Sequence, residues 1–473
     1  MAGPAAAVAA WPKAFTSAVC LIPPRAIWPR IQECRVFNDK SFTRWPPHVN
    51  LLYPFVEARH FPKAAQLCRE ALAGVQPFEV ALRELDWFEH GPRSCTLWVR
   101  PEAEELAGVQ AALASAFPQC TDLSSDPGRG ITAFTPHLSL GQWRGAAAVA
   151  AAAAEQRAGA WARPAAFQAG GVALIAREGY EHPFSVRWFV PFGGGQPRQL
   201  DVPYIATVGE PCPLLAAAGS AAAVAAAGGV NGGSGGGSSD APAPARAEFG
   251  LGSARPDGSV WVLSYGANMS PTKLSGVRGI APLESLPAAL PGWRLAFVHR
   301  GAMGSLVPLA PGERGPAGLG AVHGVLHRLG AADYGRLINM EHEYLPVEVE
   351  AVPYGTSSPL PAVALVTPED KRIADGLPPI QRYLSLLQEG AAHHQLDPGY
   401  VAWLNSLQGI DRRERGDAYY TAAGSGEPLP ALPKIRTGSQ PRQGGGRGRG
   451  RRGGGGRRSG DEVPQQRRVQ RQQ

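Results

Sequence analysis

The chain has 473 residues, 44% of them hydrophobic, and 46 Lys and Arg against 39 Asp and Glu give a formal charge of +7. That length exceeds one ordinary compact core and calls for two or three domains. No uninterrupted apolar run reaches the roughly 20 residues that span a bilayer, which excludes an integral membrane protein. Ten arginines between Thr437 and Gln473, against Asp461 and Glu462, put +8 in the tail and leave the remainder near neutral.

Composition divides the chain into a patterned region at 11–192, a Gly/Ala/Ser/Pro-rich linker at 193–256, a second patterned region at 257–424 and an Arg/Gly-rich tail at 425–473. Linker and tail lack the apolar content to fold alone. In the first region the spacing predicts a strand at Ser17–Ile22 and a helix at Phe61–Gly74, with Phe61, Ala64, Ala65, Cys68, Ala71 and Leu72 on one face. A strand at Phe78–Leu85, a strand at Cys95–Val99 and a helix at Glu102–Phe117 follow, the helix burying Leu106, Val109, Leu113 and Phe117. The run Ala150–Ala154 reads as a helix or as compositional bias, and strands at Val172–Ile175 and Ser185–Val190 close the region. The expectation is an α+β fold with helices on one face of the sheet, arranged as two similar halves.

Two segments of this region repeat one pattern: Pro47-His48-Val49-Asn50 and Pro136-His137-Leu138-Ser139. On a strand, residues two apart share a face. His48 would then pair with Asn50, and His137 with Ser139. Two imidazoles and two polar side chains in one cleft suit metal-free phosphodiester chemistry. One imidazole removes a proton, the other supplies one, and the polar groups hold nonbridging oxygens. A lone His is more often a satisfied structural residue; the repeated context is what favours function. His60, His90 and His182 lack it and are assigned to surface or structure. Tyr53, Phe55, Trp143 and Trp188 are assigned to the core by default, with base stacking as the alternative.

With its phrases Asn50–Phe55 and Phe134–Gly141, the first region resembles the two-histidine phosphoesterase superfamily, in particular its 2′-5′ RNA ligase and cyclic phosphodiesterase branch. The resemblance implies a bilobal sheet-and-helix fold, catalytic His48 and His137, and substrate binding by Ser139 and by Asn50, which stands where the family has Thr or Ser. It also implies an RNA substrate with a 2′,3′-cyclic phosphate or 2′-5′ linkage, or a cyclic nucleotide.

The second region opens with an apolar strand, Val260–Ser264, running directly into Tyr265-Gly266-Ala267-Asn268. Gly266 permits a turn closed to other residues, Asn268 tolerates positive φ, and Ser270-Pro271 caps a following helix. A strand at Gly324–Leu329, a helix at Ala331–Met340 ending at Glu341-His342-Glu343 and a strand at Leu345–Val352 come next. In a late helix Ile380, Tyr383, Leu384 and Leu387 share a face. Together these resemble a γ-glutamylcyclotransferase domain, whose Tyr-Gly-Ser-Asn loop holds a γ-glutamyl group while one Glu moves protons. The resemblance implies a mixed β-barrel with helices, substrate binding by Tyr265, Gly266, Ala267 and Asn268, a pocket wall at Tyr383, and Glu341 as catalytic residue with Glu343 as runner-up. The substrate would be a γ-glutamyl amine or peptide, cyclised to 5-oxoproline without a cofactor; the two-histidine chemistry needs no metal.

The tail Gly444–Arg458 fits nonspecific RNA binding through arginine, or simple solubilisation. Six cysteines without close pairing make neither a disulfide framework nor a zinc site. A reducing, cytoplasmic setting is expected, with an organelle or the nucleus as alternatives. A different class of function stays open, in which one or both regions are inactive modules that bind RNA ends or other proteins.

Overall fold

A computed structural model of the chain describes residues 8–208, 255, 257–310, 312–341 and 343–430. The first half begins with β1 (Ser17–Leu21), α1 (Trp28–Asn38), β2 (Val49–Leu52) and α2 (Phe61–Ala71). It continues through β3 (Phe78–Gly91), β4 (Ser94–Glu102), α3 (Glu105–Ala116), β5 (Leu138–Trp143) and α4 (Ala146–Ala158). The strands β6 (Ala165–Ala169), β7 (Gly171–Ala176), β8 (Ser185–Pro191) and β9 (Arg198–Pro203) complete it. They form two sheets, one ordered β9-β8-β7-β1-β2 and one ordered β5-β4-β3-β6. The faces predicted for α2 and α3 are buried as expected, save that Ala71 is only half-buried. Helix α1 escapes a periodicity reading because polar Gln32 and Arg35 are buried among Trp28, Ile31 and Cys34, which breaks the apolar stripe that marks an amphipathic helix.

Two boundaries differ from the composition reading. Residues 193–208 belong to the fold and not to the linker, since β9 pairs with β8 and buries Leu200 and Val202. The Gly193–Gly195 run hides this alternating strand in an otherwise loop-like stretch. At the other end, residues 425–430 are ordered: Leu429 is buried and Arg300 donates to the Pro430 carbonyl. Apart from residue 255, the rest of the linker and tail, with Cys212, lies outside the described residues. The other five cysteines are buried free thiols, and no described helix is long and apolar enough to cross a membrane.

The second half contains β10 (Val260–Ser264), β11 (Glu284–Pro291), β12 (Trp293–His299), β13 (Met303–Pro308) and β14 (Ala321–Leu329). Helix α5 (Ala331–Met340), β15 (Leu345–Pro353), β16 (Leu360–Val366), α6 (Gln381–His393) and α7 (Pro398–Ser406) follow. Five strands close a barrel in the order β10-β14-β11-β15-β16, and β10 pairs parallel with β16 to make it mixed. Strand β10 is buried on both faces: Trp261 and Leu263 turn into the barrel, Val260 and Val262 into a second cluster. Two-sided burial is why its sequence is an unbroken apolar run.

That second cluster joins the halves. Trp28, Phe42, Tyr204, Ile205 and Ala206 pack with Val260, Val262, Tyr334, Leu337 and Leu365. Polar contacts reinforce it: Arg25 pairs with Glu348 at 2.6 Å, and the Thr207 hydroxyl donates to the Pro346 carbonyl at 3.0 Å.

Candidate functional sites

His48 and His137 each stand one residue before a strand, not within one: β2 starts at Val49 and β5 at Leu138. The preceding prolines, Pro47 and Pro136, lack an N–H for the ladder, so pairing begins only after the histidine. Both strands are sheet edges, one from each sheet. In each motif the imidazole Nδ1–H donates to the carbonyl two residues back, Pro46 at 2.7 Å and Thr135 at 2.9 Å. That bond fixes the tautomer and leaves Nε2 as the basic nitrogen.

The flanks of the two rings are aromatic. Trp45 stacks on His48 at 4.5 Å, while Phe88 meets His137 edge-on at 5.0 Å and itself stacks on Trp98. Burial pushes His48 down to about 4; the Arg35 guanidinium and His137 act in the same direction, against the Pro46 carbonyl and Asp39. His48 thus senses the charge of His137. Burial also lowers His137, with a smaller push from His90, against the Thr135 carbonyl. His90, set aside on sequence, therefore belongs to the electrostatic surroundings of this site.

Asn50 lies beside His48, as the two-residue spacing predicts. Its Nδ2 donates to His48 Nε2 at 3.0 Å, so it engages the imidazole, and its Oδ1 is buried without a partner. Ser139 occupies the matching place on β5, two residues after His137 and opposite Trp98.

A buried ion pair at the end of α1 frames the two histidine strands. Arg35 Nε donates to Asp39 at 2.8 Å, and another guanidinium nitrogen donates to the Trp45 carbonyl at 2.9 Å, beside the His48 ring. Asp39 also accepts from Gln142 on β5 at 3.2 Å. Burial raises the Asp39 carboxyl, but Arg35, the Ser41 amide and Gln142 outweigh it and hold it below its usual range. Gly141 makes room for this junction, since a Cβ there would lie 2.6 Å from Asn38 Cβ. The sequence carries a trace of the clamp in the i,i+4 spacing of Arg35 and Asp39.

The second site is a cavity of about 590 Å³ at the mouth of the barrel. Strand β10 delivers Tyr265, Gly266, Ala267 and Asn268 to one wall, α5 delivers Glu341 to another, and α6 delivers Tyr383. All six predicted positions meet there, together with Glu343. Glu341 Oε1 accepts from Asn268 Nδ2 at 2.8 Å and from Arg278 at 2.7 Å. Next to a helix C-terminus a carboxylate is otherwise disfavoured by the helix dipole, and those two donors offset that. Glu343, at φ 69°, is engaged by Arg300 through both carboxylate oxygens, at 2.7 and 2.8 Å. Only Glu341 touches the loop.

Gly266 is required for a reason other than the predicted turn. Its φ is −119°, so no left-handed conformation is involved; an added Cβ would lie 2.8 Å from the Tyr383 hydroxyl. Asn268 likewise is not among the positive-φ residues. Ser270 accepts from the Lys273 amide at 3.2 Å, but the helix that follows is a six-residue π-helix at Thr272–Val277 whose N-cap is Pro271, not Ser270. Tyr383 accepts a hydrogen bond from the Gly304 amide at 2.9 Å. His327, which burial lowers to about 4, donates from Nε2 to the Asn268 carbonyl at 3.2 Å and secures the loop from behind. Among the described residues, no group of three or more His, Cys, Asp or Glu could hold a metal ion.

A family model described as the 2′-5′ RNA ligase superfamily matches residues 23–181. A Halalkalibacterium halodurans protein with the provisional name of phosphoesterase is 30% identical over 127 residues, which is 26% of this chain and 68% of that relative. Among solved structures, a γ-glutamyl cyclotransferase is 18% identical with a TM-score of 0.28, covering 32% of this chain and 90% of its own. LigT of E. coli, solved with ATP, is 15% identical with a TM-score of 0.24, covering 40% of this chain and 99% of its own. At these TM-scores the structural likenesses carry no argument about either site.

Proposed function

Through residues 23–181 the chain belongs to the 2′-5′ RNA ligase superfamily, and from that premise we propose a metal-independent phosphodiesterase or ligase-like activity at His48 and His137. The observation that supports it most is the repeated geometry: each Nδ1 is tied to a carbonyl two residues back, at matching edges of two sheets. His48, neutral near pH 7, takes a proton from the attacking oxygen, and His137 protonates the leaving oxygen. Ser139 and Asn50 hold the nonbridging oxygens, Asn50 leaving His48 when substrate enters. The substrate is a 2′,3′-cyclic phosphate or a 2′-5′ linked nucleotide. Replacing either His by Ala is expected to lower cleavage of a 2′,3′-cyclic nucleotide by roughly 10²–10⁴-fold; equal activity in variant and parent contradicts the proposal.

The second domain, at about 257–424, is proposed as a γ-glutamyl cyclotransferase with Glu341 as proton carrier. The contact of Glu341 with Asn268 in the loop supports this and favours it over Glu343. The free α-amine of a γ-glutamyl group attacks the side-chain carbonyl, the amide bond breaks, and 5-oxoproline and an amine leave. Glu341 accepts the amine proton and returns it to the departing nitrogen, and closing a five-membered ring within a bent substrate costs little entropy. Glu341→Gln should stop release of 5-oxoproline from γ-glutamyl dipeptides; product formation at the parental rate excludes Glu341. The Arg/Gly tail serves to raise the local concentration of RNA.

One observation favours a second reading for the first domain. The Asn50 amide occupies the basic nitrogen of His48, the arrangement of a module that holds RNA ends without cleaving them. Cleavage that appears only in Asn50→Ser decides for that reading.

A further inference from the structure

The cavity of the barrel domain carries Lys273, Arg278, Arg300 and Arg382 against Glu341 and Glu343. Arg300 is committed: it holds both oxygens of Glu343 and the Pro430 carbonyl. Arg278 is not. It gives one nitrogen to Glu341 Oε1, while its Nε is buried without a partner. Asn268 mirrors it, giving Nδ2 to the same Oε1 and leaving Oδ1 buried without a partner. The trio around Glu341 lines a single cavity and carries one unmatched donor and one unmatched acceptor just beneath its surface, and buried unmatched polar atoms in native folds call for an explanation.

The ligand that matches both has an anion and a hydrogen-bond donor on adjacent atoms, which describes the head group of an α-amino acid. We propose that Arg278 binds the α-carboxylate of the substrate, and that Asn268 Oδ1 with Glu341 receives its α-amino group. This deepens the cyclotransferase reading and rests on it. Engagement turns the guanidinium toward the substrate and loosens its hold on Glu341. The carboxylate then becomes able to accept the amine proton as nitrogen attacks the γ-carbonyl. Arg278 thereby admits only substrates that keep the α-carboxylate, and couples their binding to release of the proton carrier. A charged, bidentate-capable guanidinium suits this role better than the point charge of an ammonium.

The test uses the full chain and two probes. γ-Glutamyl anilide yields 5-oxoproline and aniline; its decarboxylated counterpart, 4-aminobutanoyl anilide, yields 2-pyrrolidinone and aniline. The parent is expected to prefer the first by roughly 10- to 150-fold in kcat/KM, the worth of a hydrogen bond to a charged group. Arg278→Met should bring that ratio to near one, and Arg278→Lys should restore part of it, with thermal midpoints confirming that both variants fold. A parental ratio retained in Arg278→Met overturns the proposal and leaves the cyclotransferase reading standing. If the parent cyclises neither probe, that reading fails, and calorimetric binding of L-glutamine, a γ-amide with the same head group, decides the proposal alone. Tenfold weaker binding in Arg278→Met supports it; no binding to the parent, or equal binding to both, overturns it.

Discussion

His48 and Glu341 hold corresponding places in their domains, each next to the end of an element and each beside an asparagine, Asn50 or Asn268, whose amide donates to it. Their surroundings are opposite. His48 is made neutral chiefly by burial, and Arg35, which lowers it further, is itself bound to Asp39 and the Trp45 carbonyl. Glu341 is held by Arg278, an ion pair inside a cavity. The difference teaches that a proton carrier can be prepared by removing charge or by pairing it. In the first case substrate has to displace only a neutral amide, that of Asn50; in the second it has to compete for a charged partner.

The largest effect that sharpens this comparison comes from the frame beneath the histidines. Asp39→Asn leaves Arg35 charged and buried, and breaking such a pair costs about 3–5 kcal/mol. Denaturant unfolding of the full chain checks it, and a cost below about 1 kcal/mol would show that the pair does not brace the two strands.

Acid provides the next test. His48, His299 and His327 are all held down to about 4, chiefly by burial, whereas in the unfolded chain they titrate near 6.5. As pH falls from about 6.5 to 4, the unfolded state takes up protons that the folded state refuses. Stability is therefore full above that window and declines through it, by several kcal/mol in total. Unfolding midpoints flat from pH 7 to 4.5 would contradict neutral burial of these rings. For the phosphodiesterase, kcat/KM should show an acid limb displaced below 6.5 toward 4.

A smaller effect probes the loop. Gly266→Ala places a Cβ against the Tyr383 hydroxyl, an overpacking cost of about 1–3 kcal/mol. Cyclisation should drop about tenfold, with partial recovery in the double variant carrying Tyr383→Phe and no change in cleavage by the first domain. Loss of both activities would mean that the sites are not separable.

Much of this was legible in the chain itself. The Pro-His-x-polar repeat located both imidazoles, because a motif written twice stands out from the background of single histidines. The apolar run of β10 and the helix before Glu341 located the second cavity. What escaped was whatever depends on contacts distant in sequence. Trp45 and Phe88 had no marker tying them to the histidines they touch. Helix α1 was hidden by the buried polar side chains that make it useful, and β9 by the glycines before it. The role of Gly266 was read as a turn when it is a close approach by Tyr383, 117 residues later in the chain.

The account stands or falls on whether the two chemistries occur in one chain at the two places described. The direct measurement is hydrolysis of a 2′,3′-cyclic nucleotide and release of 5-oxoproline by the same preparations of parent, His48→Ala and Glu341→Gln. The account predicts that His48→Ala loses the first activity alone and Glu341→Gln the second alone. A parent that performs neither reaction, or variants that perform both, would contradict it.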